Sequence, residues 1–157
     1  MKIKLLAIGK TDDKNLQLLI HQYEKRLKYY VKFELEIIPD LKNVKNLSET
    51  EQKEKEGDLI LAKVGATDHL LLLDDKGESY SSFGFSKFMQ KKMNSGIKQI
   101  VMVIGGPYGF SNAVYQKAKV KISLSKMTFY HQMIRLFVVE QIYRAFTILR
   151  NEPYHHE

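Results

Sequence analysis

Residues 100–109 read Ile-Val-Met-Val-Ile-Gly-Gly-Pro-Tyr-Gly. The first five are apolar and mostly β-branched, with no polar residue alternating among them. Such a run belongs to a central strand of a parallel sheet, buried on both faces. It stops abruptly at Gly105-Gly106-Pro107. Two residues without Cβ let a ligand or another backbone come close there, and proline stiffens the exit. The glycine spacing is neither that of the Rossmann dinucleotide turn nor that of the P-loop. Taken alone, the turn is equally compatible with a tight strand-to-helix connection.

Working outward from this strand, apolar runs and helical periodicities alternate. Residues 3–8 (Ile-Lys-Leu-Leu-Ala-Ile) read as a buried strand closed by Gly9. Leu16, Leu19, Ile20, Tyr23, Leu27 and Tyr30 recur at helical spacing, with Asp12 or Asp13 placed to cap that helix. Phe33 to Ile38 is a second strand, stopped by Pro39-Asp40. Ser48, followed by Glu49 and Glu51, is a helix start; that helix is expected to carry its acidic stretch on a solvated face and to end near Gly65. Leu70 to Leu73 is a third strand leading into an Asp75-Lys76-Gly77 turn. Phe85, Phe88, Met89 and Met93 mark a core-facing helix. Ser111 opens a short helix, Val120 to Leu124 is a fifth strand, and Ile134 to Leu149 form a long last helix. Alternation of this kind predicts a three-layer α/β fold with a mostly parallel sheet. With 157 residues and no linker or repeat, one domain spanning 1–157 is expected.

Composition narrows the function. No apolar run approaches the roughly 20 residues of a membrane-spanning helix, and the N-terminus lacks a signal-peptide pattern; a cytoplasmic protein is expected. Cysteine is absent, which rules out disulfides and thiolate-bound metal. The formal net charge is +7. Between Tyr115 and Arg150, seven cations (Lys117, Lys119, Lys121, Lys126, Arg135, Arg144, Arg150) face Glu140 alone. A basic C-terminal part fits a polyanionic partner, nucleic acid before membrane, although a passive basic surface has the same composition.

In open parallel sheets ligands sit beyond the carboxyl ends of strands. Here those ends are Leu73-Asp74, Gly105-Gly106 and Leu124-Ser125. The segment Leu124-Ser125-Lys126-Met127-Thr128-Phe129 is short and polar, and its hydroxyls and backbone groups could read an adenine edge or a ribose; it could equally be a loop capping the last helix through Thr128. His131 falls at the start of that helix, where the dipole disfavours imidazolium and leaves a neutral proton acceptor. Arg135, one turn later, shares its face. The tail Asn151-Glu-Pro-Tyr-His-His-Glu157 is too short to fold by itself, yet Tyr154, His155 and His156 load it with stacking and titratable groups. Adjacent histidines diverge and no paired carboxylate supports them, so no metal is expected. His21 and His69 look isolated.

These pieces in order resemble the RlmH family of SPOUT-class methyltransferases. The match runs through Ala7-Ile8-Gly9-Lys10, Tyr23-x-x-Arg26, Glu54-Lys55-Glu56-Gly57, the Gly105–Gly109 turn, Leu124–Phe129, His131–Arg135, Glu140–Ala145 and Pro153-Tyr154-His155. The resemblance implies an α/β trefoil knot at the C-terminus, which simple connection rules treat as nearly forbidden. It implies S-adenosylmethionine bound by Leu73, Gly105, Leu124, Ser125, Lys126, Met127, Thr128 and Phe129. It implies a homodimer with the last helix at the interface, and N3-methylation of a pseudouridine in 23S rRNA, in the assembled ribosome. His131, Tyr154 and His155 are then the candidates for handling the N3 proton or anion, and Arg135 and Arg144 are expected to hold RNA phosphates. No metal is needed. The family usually has proline where this chain has Tyr130, which leaves the approach to the helix freer and offers a ring for the target base. A SPOUT enzyme acting on another RNA such as tRNA, and a non-catalytic RNA- or ribosome-binding module, remain the alternatives.

Overall fold

Strand β4 (Gln99–Ile104) is the apolar run of 100–104, and Ile100 to Val103 in it are wholly inaccessible to solvent. The computed structural model describes residues 1–155. Around β4 lie β1 (Lys2–Ile8), β2 (Lys32–Ile38), β3 (His69–Ser79) and β5 (Val120–Ser123), in the order β2-β1-β4-β3-β5. Every pair is parallel. Parallel strands need crossover connections, and these are α1 (Lys14–Leu27), α2 (Glu49–Leu61), α3 (Ser82–Asn94) and α4 (Asn112–Lys117), followed by α5 (Met133–Leu149).

Side-chain alternation along the strands sorts the core into two layers. Ile3, Leu5, Ala7, Ile100 and Met102 join Ile20, Phe85, Met89 and Val138 beneath α1, α3 and α5. Leu6, Ile8, Val101 and Val103 join Ile60 and Val114 beneath α2 and α4. The three-layer reading therefore holds, with the sheet parallel throughout.

The helix starts follow their caps. Asp13 accepts from Asn15 and Leu16 amides, and Ser48 with Glu51 completes a capping box. Ser111 caps α4. The position before α5 is Gln132 rather than Thr128, and it makes no side-chain cap bond. Its amide oxygen is turned instead to the Asp12 and Asp13 amides, 2.8 and 3.2 Å away. The buried Gln132 thus ties the start of α5 to the loop after β1.

One departure matters for the site. The expected turn at Asp75-Lys76-Gly77 lies inside β3, which runs on to Ser79 through an irregularity. Both Leu73 and Glu78 pair with Ile122 of β5. Ile122 is thus shared by the residues on either side of a four-residue irregularity, 74–77, in the pairing of β3 with β5. Gly77 lies hard against β5: a Cβ there would lie 2.6 Å from the backbone of Lys121 and Ile122. The glycine is required by close approach of two chains, a constraint that a turn reading of the same three residues does not contain.

Candidate functional site

Because β4, β3 and β5 are neighbours, their carboxyl ends open onto one place. A cavity of about 560 Å³ lies there, within the range of small-molecule sites. Leu73, Gly105 and every residue from Leu124 to Phe129 line it, so all eight positions singled out in the sequence converge. Ile104, Ile122 and Leu73 give it an apolar floor. Gly105 keeps its wall open: a Cβ would meet the Phe110 ring at 3.0 Å. The loop after β5 is shaped from within, since Ser125 Oγ accepts from the Met127 amide at 2.9 Å and Ser123 Oγ donates to the Ser125 carbonyl at 3.0 Å. Phe129 lies against Phe137 of α5, 5.3 Å between centroids. An apolar slot rimmed by backbone polar groups suits a flat heterocycle with a polar edge.

At the rim, Tyr115 donates to Asp74 Oδ2 at 2.5 Å. Burial and that bond push the Tyr115 hydroxyl up to about 12. Burial alone would raise the Asp74 carboxyl, but the bonds from Tyr115 and the Lys76 amide outweigh it and leave Asp74 below the ordinary range. A carboxylate is therefore fixed at the mouth. His131 also lines the cavity, in the turn ahead of α5, with the Tyr130 ring edge-on at 4.7 Å.

The tail is docked, and not in this cavity. Tyr154 OH lies 3.0 Å from Glu140 Oε1 and 3.0 Å from Tyr23 OH. Its ring stands edge-on to Tyr143 at 4.8 Å and beneath the Arg144 guanidinium at 4.8 Å. Glu152 accepts from Tyr30, and its own amide donates to the Thr147 carbonyl at 2.9 Å. Asn151 supplies the left-handed turn that folds the chain back, at φ 55°. Burial first, then the bonds with Tyr23 and Glu140, hold the Tyr154 hydroxyl above its usual range. It stays protonated, which makes it a hydrogen-bond donor to an anion and not a base. Glu140 is seven residues beyond Met133, about 10 Å along the helix. Among the described residues, His131 and the tail therefore do not meet within one protomer. His156 lies outside the described residues.

Burial overturns one of the two phosphate roles expected of arginines. Arg135 does not face an RNA phosphate: it is 1% exposed, and its guanidinium donates to Thr11 Oγ1 at 2.8 Å and the Ile8 carbonyl at 2.7 Å. Arg144 is committed to Glu140, through Nε at 2.9 Å and Nη2 at 2.7 Å, with His155 Nδ1 3.2 Å from Nη1. It orders the tail. Exposed cations line this cavity (Lys76 and Lys126) and the neighbouring pocket that shares Asp74, Lys76 and Tyr115 with it (Lys119 and Lys121).

Sequence reasoning missed Glu56, assigned to a solvated face. Only 3% of it is exposed, and it sits behind the glycine turn. Its signal was the glycine beside it in mid-helix. A Cβ on Gly57 would collide with Ser111 Oγ and lie 2.9 Å from Ser111 Cβ, so α2 is pressed onto the loop after β4. Among the described residues no group of three or more histidine, aspartate or glutamate side chains converges as a metal site would require.

The family model described as "Predicted SPOUT methyltransferase" matches residues 1–155. A protein of Flavobacterium johnsoniae named ribosomal RNA large subunit methyltransferase H is 69% identical over 157 residues, covering 100% of both chains. The protein of the same name from Porphyromonas gingivalis is 55% identical over 157 residues, again covering 100% of both. Among solved structures, the SpoU methyltransferase AviRb of Streptomyces viridochromogenes, in complex with AdoMet, aligns at TM-score 0.45 and 14% identity, over 91% of this chain and 57% of that one.

Proposed function

The chain belongs to the ribosomal RNA large subunit methyltransferase H family of SPOUT methyltransferases, and from that premise we propose that it methylates N3 of a pseudouridine in 23S rRNA, on the assembled ribosome, in the cytoplasm. Membership makes it a methyltransferase of large-subunit rRNA that uses S-adenosylmethionine. The observation that carries the site assignment is convergence: Leu73, Gly105 and 124–129 come from three strand ends and line one cavity, with His131 among the lining residues. The sulfonium supplies an electrophilic methyl carbon when bound.

The rest of the chemistry falls to the chain's own residues. The loop 124–129 and the Gly105 wall hold the donor in one orientation, so that the methyl carbon and N3 meet in line. N3 must lose its proton. His131, exposed and at a helix start, is the group assigned to accept it; Tyr154, kept protonated, would donate to the anion that forms by turning its one O–H away from Glu140. Because these two groups do not meet in one protomer, the complete centre takes the tail of a second copy. Support for a homodimer built on α5 comes from Met127, Phe129, Tyr130, Met133 and Phe137, exposed large apolar side chains that run from the loop onto that helix. The trefoil knot at the C-terminus is proposed on family membership.

Mass spectrometry of 23S rRNA from cells with and without the gene tests the reaction. Methylated pseudouridine should vanish on deletion; its persistence overturns the proposal. Phosphate contacts pass from the buried Arg135 to the exposed lysines. The double variant K119A/K121A should lower the slope of log K against log salt for ribosome binding by about 1 per lysine. Its S-adenosylmethionine affinity should stay unchanged. An unaltered slope removes both lysines from the interface.

A further inference from the structure

Three of the five residues Gly105–Gly109 are glycine, and the turn has one backbone bond of its own, Gly109 amide to Gly106 carbonyl at 3.2 Å. Glycine loses more conformational freedom on ordering than any other residue. A cavity wall built this way binds tightly only if something outside it fixes its position beforehand.

Glu56 is in that place. A Cβ on Gly106 would collide with Glu56 Oε2 and lie 2.8 Å from its Cδ and 2.9 Å from Oε1. The carboxyl thus fills the space that any other residue at 106 would need. Gln52 donates to Oε1 at 2.8 Å, while Oε2 is buried with no partner. Asp40 is the charged group that bears on it; its own helix contributes the neutral Gln52. Among the described ion pairs none includes Glu56. Burial above all, opposed by Gln52 and aided by Asp40, raises its carboxyl. A buried carboxyl with an unmet oxygen weakens a fold, so its placement asks for a reason other than stability.

We propose that Glu56 is a positioning residue of the methyl-donor cavity, a wedge from α2 that sets the Gly105–Gly106 wall before the cofactor arrives. The inference rests on the reading of that cavity as the S-adenosylmethionine site. Glu56 touches Gly106 from behind and does not line the cavity.

Four variants test it, read by calorimetric titration of the purified protein with S-adenosylmethionine and by thermal melting. E56A should weaken binding at least about tenfold while the melting temperature holds or rises, because an orphaned polar group leaves with it. E56Q keeps the shape and the Gln52 contact and should bind within about threefold of the unaltered chain. G106A should lose binding, and the loss should shrink at least about tenfold in E56A/G106A, where the wedge no longer occupies the Cβ space. Equal penalties for G106A in both backgrounds, or unchanged affinity in E56A, overturn the wedge. If the unaltered protein itself fails to bind S-adenosylmethionine, the cavity assignment falls with it; binding that is intact in the unaltered chain and in E56A condemns the wedge alone.

Discussion

Truncation before Pro153 should abolish methylation of ribosomes and leave S-adenosylmethionine affinity within about threefold of the full chain. None of the described residues removed, Pro153 to His155, lines the cavity. What the protomer loses is the seat of Tyr154 between Tyr143 and Arg144, the bonds of its hydroxyl with Glu140 and Tyr23, and the His155 contact to Arg144. Glu152 remains, and with it the anchor to Tyr30. The cost in stability should be about 1–2 kcal/mol, the scale of a few half-buried contacts. Loss of rate should be at least about a thousandfold, the upper part of what one positioned acid-base group contributes. The variant Y154F separates the ring from the hydroxyl: it keeps the aromatic contacts and should still lose about a hundredfold in rate. Calorimetry and methyl transfer to purified ribosomes read the two effects. A truncated chain that methylates at the normal rate defeats the tail's role in the reaction.

The sheet and its helices were legible because their signals are local. An unbroken β-branched run, a capping box and an Asp before a helical stripe each name their element without help from elsewhere. The cavity was legible for a different reason: strand ends in a parallel sheet share a rim, so finding the ends nearly finds the site. What stayed hidden depends on partners distant in sequence. Gly77 reads as a turn residue until β5 is seen to pass beneath it. Glu56 reads as one acid among several on a helix, since burial by the β4–α4 loop leaves no periodic mark; only Gly57 beside it hinted at close contact. The tail looked like a frayed end because seven residues cannot fold alone, and the tyrosines that receive it lie more than a hundred positions earlier.

Arg135 is the sharpest case, and its replacement should cost stability and leave RNA affinity alone. A basic residue one turn after His131 looks like a phosphate ligand, and helical spacing does put the two on one face. Burial reverses the conclusion. The guanidinium lies below the surface, where its two Nη atoms join the Ile8 carbonyl and Thr11 Oγ1 to α5. Burial also draws its affinity for the proton down, partly offset by Asp40 and Asp12, yet at neutral pH the arginine stays charged. With Gln132 on the same loop, Arg135 sets the start of α5 and hence the place of His131. Arg135→Ala would strand a buried carbonyl and open a void, so it should destabilise by about 3 kcal/mol and lower the melting temperature by about 6–12 °C. Arg135→Lys keeps the charge but cannot span both acceptors from one planar group, and should fall between. For Arg135→Ala, which removes the charge, held at a temperature where it is folded, the salt slope of ribosome binding should match that of the unaltered chain, whereas K119A/K121A lowers it. A slope reduced by about 1 in Arg135→Ala, with melting unchanged, would return Arg135 to the RNA and require α5 to shift enough to bring it to the surface.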